Sequence, residues 1–115
     1  MASIKKIFFS LLIFLSAITL FSAQIKNQKT EIVKIYGNCE MCKQTIEKVG
    51  SIPDESLVLW DVKTKQAEIT YDSNKTSIDK ILKRIALVGY DNEKYKAKDG
   101  VYRQLPICCQ YERKK

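Results

Sequence analysis

Histidine is absent from the 115-residue chain. Cysteine thiolates are therefore its only strong ligands for a soft metal ion. No segment interleaves aromatic with basic residues, so a nucleic-acid partner is not expected. No internal repeat or low-complexity tract occurs, and the length suits one small domain. The longest apolar run, Ile7 to Phe21, is interrupted by Ser10, Ser16 and Thr19. It falls short of the roughly 18–20 residues that a membrane-spanning helix needs. With Lys5 and Lys6 before it and Ser22-Ala23 after it, this run reads as a secretory signal peptide over residues 1–23, cut before Gln24. Phe21 sits where a small residue is usual. No cysteine lies at the cut, so a lipid anchor is not expected, nor stable membrane association after cleavage. The expected location is periplasmic or secreted.

The residues that are present describe an ordinary globular chain, with 45% hydrophobic and 29% charged residues. Setting aside Lys5 and Lys6 leaves 18 basic against 13 acidic residues, a net charge of +5. Lys26, Lys29 and Arg113-Lys114-Lys115 carry much of it, which reads as a solvated basic surface. Four cysteines remain. In an exported protein they permit two disulfides in three connectivities.

Thr30 to Tyr36 alternates, with Val33 and Ile35 on one side, and predicts a half-buried strand. Gly37 allows a sharp turn. Cys39 to Val49 predicts a helix with Met41, Cys42, Thr45, Ile46 and Val49 on its apolar side. Asn38 is its expected N-cap, Gly50 its C-terminal cap, and Pro53 prevents continuation. Leu57 to Val62 and Ala67 to Tyr71 predict an antiparallel hairpin joined by Lys63 to Gln66. Trp60 is expected to pack on a sheet face. Thr76 and Asp79 resemble a capping box for a second helix bearing Ile78, Ile81, Leu82, Ile85 and Val88, closed by Gly89. Asn92 to Ala97 predicts a short polar edge strand. Asp99-Gly100 is an expected turn, and residues 98–115 form a C-terminal tail containing Cys108-Cys109.

This order predicts an α+β fold of the ferredoxin-like β-α-β-β-α-β type over residues 24–97. Both helices lie on one face of a four-stranded antiparallel sheet, with the first and third strands central. Cys39 and Cys42 then sit where the first strand meets the first helix. That placement suits two chemistries. Thiolates select soft ions such as Cu(I), Hg(II) and Zn(II). A helix N-terminus also lowers a cysteine pKa, as dithiol redox requires.

Gly37-Asn38-Cys39-Glu40-Met41-Cys42, Ile46 and Val49 along the first helix, and Val88-Gly89-Tyr90 after the second make the chain resemble a known family. It is similar to the heavy-metal-associated (HMA) domain of copper chaperones, metal-transport ATPases and periplasmic mercury-binding proteins. The resemblance covers Thr30 to Ala97, and the paired cysteines of the tail look like those ending some exported stand-alone members. It implies a non-enzymatic protein whose Cys39 and Cys42 bind one soft ion in an exposed loop. The ion would pass to a partner, such as a metal-transport ATPase or another HMA domain. Tyr90 would stand behind the loop. The family usually has Gly-Met-x-Cys; Gly37-Asn38-Cys39 is one residue shorter and has no methionine there, and Met41 either fills the same space or offers a thioether.

Cu(I) is the expected ion, since two thiolates without imidazole suit a near-linear site. Hg(II) would bind in the same way, and Zn(II) would need further ligands. Cys108 and Cys109 are candidates for those ligands or for a disulfide. An extended chain from Ala97 to Cys108 reaches at most roughly 36–40 Å. A seven-residue strand spans only roughly 23 Å, so the tail can return to the motif. Two other functions fit the cysteines: a thiol-disulfide oxidoreductase using Cys39 and Cys42, and a disulfide-stabilised interaction domain.

Overall fold

The structure is a computed structural model that describes residues 25–113. The signal-peptide reading of residues 1–23 and the cut at Gln24 lie outside the described residues, as do Lys114 and Lys115. Three strands form one antiparallel sheet: β1 (Gln28–Lys34), β2 (Ser56–Trp60) and β3 (Gln66–Asp72), in the order β1-β3-β2. Strand alternation gathers Val33, Val58, Trp60, Ala67, Ile69 and Tyr71 on one buried face. Helices α1 (Glu40–Gly50) and α2 (Ile78–Leu87) close that face. Cys42 and Ile46 from α1 join Ile81, Leu82 and Ile85 from α2 in one continuous core. Each such aliphatic side chain contributes roughly 1.5–3 kcal/mol through burial. The class is α+β.

Two devices bring the helices together. A Cβ added at Gly50 would stand 2.4 Å from Val58 Cγ2 and 3.3 Å from Ile85 Cδ1, so only glycine fits where α1 meets β2 and α2. Arg84 then donates to the Val49 and Gly50 carbonyl oxygens, at 2.7 and 3.1 Å. It satisfies acceptors that a helix end leaves without partners.

Several local expectations are corrected. The predicted fourth strand, Asn92 to Ala97, does not form. A single bridge joins Ile35 to Asn92. Side chains take the backbone donors that a ladder would use: Asn92 Oδ1 accepts from the Lys94 and Tyr95 amides, and Asp91 Oδ1 from that of Ala97. The sheet therefore has three strands, and β1 lies at its edge rather than at its centre. Its outer side meets this segment only locally, through Lys34 N to Glu93 Oε1 and Tyr36 N to the Asp91 carbonyl.

Cys39, not Asn38, caps α1, and Gly50 is its last helical residue, with Ser51 as C-cap. Ser77 caps α2 by accepting from the Lys80 amide, in place of the predicted Thr76 and Asp79 box. Asp99-Gly100 opens a short helix, α3 (Asp99–Arg103), rather than a turn. A 3-10 turn, Ile107–Cys109, follows.

Candidate metal centre

Beyond β1 the chain stays extended across Ile35 and Tyr36 and reaches Gly37 at the end of α1. A Cβ on Gly37 would stand 3.1 Å from both Cys42 Cβ and the Trp60 ring. Glycine thus lets the loop lie flat on the indole. Trp60 packs on the buried sheet face as expected, 1% exposed, and its Nε1 donates to the Ile35 carbonyl at 2.9 Å. Cys39 takes an extended conformation and caps the helix. Its sulfur accepts from the Cys42 amide, while Cys42 Sγ accepts from the Asn38 and Cys39 amides at 3.4 and 3.5 Å. This is a capping box in which two sulfurs replace the usual oxygens. Donors that a helix start leaves without partners are aimed at the two motif thiols.

The tail returns to the same place. Tyr111 Oη donates to the Gly89 carbonyl and accepts from the Asp91 amide, each at 2.8 Å and buried. Its ring stacks against Tyr36 and Tyr90, with Tyr102 edge-on. Arg113 binds both carboxylate oxygens of Asp91, at 2.9 and 3.0 Å, and also reaches Asp99 Oδ1 and the Ala97 carbonyl. Leu105 covers Gly89, whose φ of +116° also favours glycine. With these anchors in place, the 3-10 turn sets Cys108 and Cys109 over the helix start.

All four cysteines are free thiols. Cys39 Sγ lies 2.7 Å from Cys108 Sγ and 3.4 Å from both Cys42 Sγ and Cys109 Sγ. Cys108 and Cys109 sulfurs are 3.9 Å apart. The sulfurs of Cys39, Cys108 and Cys109 all fall within 4.8 Å of one another, close enough to bind one metal ion. Cys42 and Cys109 are fully buried, Cys39 is half-buried and Cys108 is exposed. Within the loop expected to be exposed, Cys42 is buried.

The electrostatics single out one sulfur. Burial raises the Cys39 thiol. Hydrogen bonds from Cys108, the Cys42 amide, and the Cys42 and Cys109 thiols outweigh that and lower it to about 6. Burial pushes Cys109 well up, helped by its hydrogen bonds to Cys42 and Cys39, while a bond from Tyr90 opposes. Cys108 rises because it donates to Cys39. The cluster is thus one thiolate fed by neighbouring thiols. Tyr90 lies behind the loop, 1% exposed. Burial, then hydrogen bonds to the Cys109 and Cys42 sulfurs, keep its hydroxyl protonated.

Met41 is corrected. It is 52% exposed and does not fill space beneath the loop. Its sulfur instead lies 3.7 Å from Cys108 Sγ. Sequence reasoning missed Asp91, Arg113 and the hydroxyl of Tyr111 as the tail's anchors. They follow no periodic pattern, and nothing in their spacing pairs them.

The donor set is sulfur throughout, which suits soft d10 ions. Tetrahedral Zn–S bonds of about 2.3 Å place sulfurs about 3.8 Å apart. The 3.4 and 3.9 Å separations lie within a few tenths of that value. Among the sulfurs of Cys39, Cys108 and Cys109, the 2.7 Å pair would have to open by about 1 Å, and Cys108 is the surface member of that pair; Cys42 does not lie within 4.8 Å of all three. No helix among the described residues is long and apolar enough to cross a membrane. No protein-family model, curated protein or solved structure matches the chain.

Proposed function

We propose that this chain is a thiolate metal-carrier protein, which binds a soft ion without catalytic turnover. More particularly, it carries Cu(I), Hg(II) or Zn(II) on Cys39 and Cys42 together with the tail pair Cys108 and Cys109. It works outside the cytoplasm and exchanges the ion with a donor or acceptor protein, such as a metal-transport ATPase or an HMA domain. The observation that carries the reading is the convergence of Cys39, Cys108 and Cys109 sulfurs within 4.8 Å, with Cys42 a further 3.4 Å neighbour of Cys39. A chain segment about 70 residues away in sequence returns to place two thiols on the motif, which a loop-pinning role for Cys39 and Cys42 would not require. The element order from β1 to α2 supports kinship with the ferredoxin-like HMA domains.

With two sulfurs the site favours Cu(I) in near-linear coordination, and with three or four it favours Zn(II) or a small Cu(I) cluster. Anaerobic titration of the reduced mature protein with Cu(I), Zn(II) and Hg(II), each against a competing chelator, tests the reading. X-ray absorption then counts the sulfurs. Failure of all three ions to bind more tightly than to a single exposed thiol would end it.

One observation favours a second reading. Cys39 has a thiol pKa of about 6 and a thiol neighbour at 3.4 Å, the arrangement of a dithiol oxidoreductase. Catalytic reduction of insulin by the reduced protein would support that reading over metal carriage.

A further inference from the structure

We infer that Cys108 and Met41 form the transfer port of the thiol site, through which a soft cation passes to and from a thiol-bearing partner. Cys39 and the buried Cys109 hold the cation from beneath. The inference rests on the soft-metal reading above and gives it a direction of travel. Exposure sorts the sulfurs. Cys42 and Cys109 are each 0% exposed, whereas Cys108 faces solvent. A ligand on another molecule can attack only where a sulfur can be reached.

Beside that outer sulfur stands a second soft donor. Met41 Sδ lies 3.7 Å from Cys108 Sγ, on a side chain that α1 does not bury. A thioether is neutral and binds soft ions weakly, as a transient holding point requires. Ile107, 89% exposed, adds an apolar surface next to the port. A single exposed Met or Ile would carry no message, but here they flank the exposed thiol.

The backbone lets the outer sulfur move by itself. Cys108 rides on one 3-10 turn, after Pro106 and ahead of the buried Cys109. Cys109 and Tyr111 keep the turn docked while the Cys108 side chain swings. The 2.7 Å separation between Cys39 and Cys108 must widen when a cation binds between them, and Cys108 is the member free to yield.

The exchange balances without electron transfer. A donor thiolate brings the cation. The Cys108 thiol loses its proton to water as its sulfur bonds the cation. The donor's bond to the cation then breaks, and the donor sulfur takes up a proton. Cys39 next bonds the cation from the inner side. Delivery reverses these steps, and the charge on the cation is unchanged throughout.

The test measures rates in both directions on the full reduced chain. Uptake uses Cu(I) supplied as its glutathione complex, release uses excess dithiothreitol, and the thiolate absorption of bound Cu(I) is the readout. Cys108→Ser should slow both uptake and release by about 10-fold. Met41→Leu should slow both by about threefold while leaving equilibrium affinity within about twofold. A Cys108 that acts solely as a fourth ligand gives the opposite sign, because removing a ligand speeds release. Faster release, or unchanged rates in both variants, overturns the port. Circular dichroism and unchanged protection of Cys109 from alkylation confirm that the variants fold. If the parent chain takes up no Cu(I), the soft-metal reading fails first, and the port fails with it.

Discussion

The two halves of the thiol site are built by different means. Cys39 and Cys42 stand on the shared core: Trp60 lies beneath Gly37, Ile46 continues the buried side of α1, and the helix start supplies amides to both sulfurs. Cys108 and Cys109 are held instead by polar anchors, chiefly Tyr111 and the pairing of Arg113 with Asp91. Breaking the first half means breaking the core. Breaking the second should need only one lost anchor, because the tail can detach while the sheet and helices stay folded. A carrier gains from that division. One pair of sulfurs is fixed, and the other can be released without unfolding the protein.

The largest expected effect lies in the first half. Trp60→Ala removes the side chain that supports the loop and is fully enclosed by the core. It should cost about 3–5 kcal/mol in denaturant unfolding, and all four thiols should lose protection together. Protection of Cys109 that outlasts the loss of Cys42 protection would show the tail docking on something other than the core.

Arg113→Ala tests the second half. It leaves the buried Asp91 carboxylate without its guanidinium, although the Ala97 amide still donates to it. Losing the partner of a largely buried charge should cost about 2–3 kcal/mol. The loss should appear as tail release. Cys109 alkylation should accelerate about 30- to 150-fold, while the unfolding midpoint of the sheet and helices, followed by Trp60 fluorescence, stays nearly fixed. A uniform drop in stability with Cys109 still protected would erase the distinction between the halves.

That distinction also explains what could be read from the sequence. Val33 and Ile35, the spacing of Ile46 and Val49, and Ile81, Leu82 and Ile85 announce their elements by period. Those elements position Cys39 and Cys42, so the motif half of the site was legible. Asn92 to Ala97 was not. Its Lys and Glu content suits an edge strand, but the short side chains of Asp91 and Asn92 capture the nearby amides first. The return of the tail was legible only as reach. The Arg113 to Asp91 pairing spans 22 residues without a pattern. Met41 was misplaced because it falls at helical spacing next to Cys42, yet α1 begins only at Glu40 and its first turn turns that side chain to solvent.

A smaller effect joins the halves through protonation. Cys39 ionises with a pKa of about 6, lowered by hydrogen bonds from Cys108, from the Cys42 amide and thiol, and from Cys109, whereas an unfolded cysteine ionises near roughly 8.5. A lowered folded pKa contributes stability that is complete above the unfolded value and is lost as pH falls through about 6. Cys108 and Cys109 shift upward and act in the opposite sense, eroding stability above roughly 8.5. The metal-free reduced protein should therefore be most stable between these two values. Its Cys39 alkylation rate should titrate near pH 6. In Arg113→Ala the same titration should move up toward the ordinary thiol range as the tail donors leave. A titration unchanged by tail release would assign the low pKa to the helix start alone.

The smallest effect concerns a buried side chain that touches both halves from within the core. Tyr90 hydrogen-bonds the Cys42 and Cys109 sulfurs from within the core. Its ring also stacks on Tyr111, so removing only the hydroxyl leaves the packing in place. Tyr90→Phe should cost about 1 kcal/mol, less than either substitution above. Its informative readout is the sign at Cys109. Burial raises that thiol, and the Tyr90 bond partly offsets the rise by stabilising the thiolate. Without the hydroxyl the Cys109 thiolate loses a donor, so Cys109 should alkylate more slowly at a given pH even though the chain is slightly less stable. A general loosening of the tail would speed the reaction instead. Slower reaction identifies Tyr90 as a donor acting on the tail sulfur, and faster reaction reduces it to packing between the two halves.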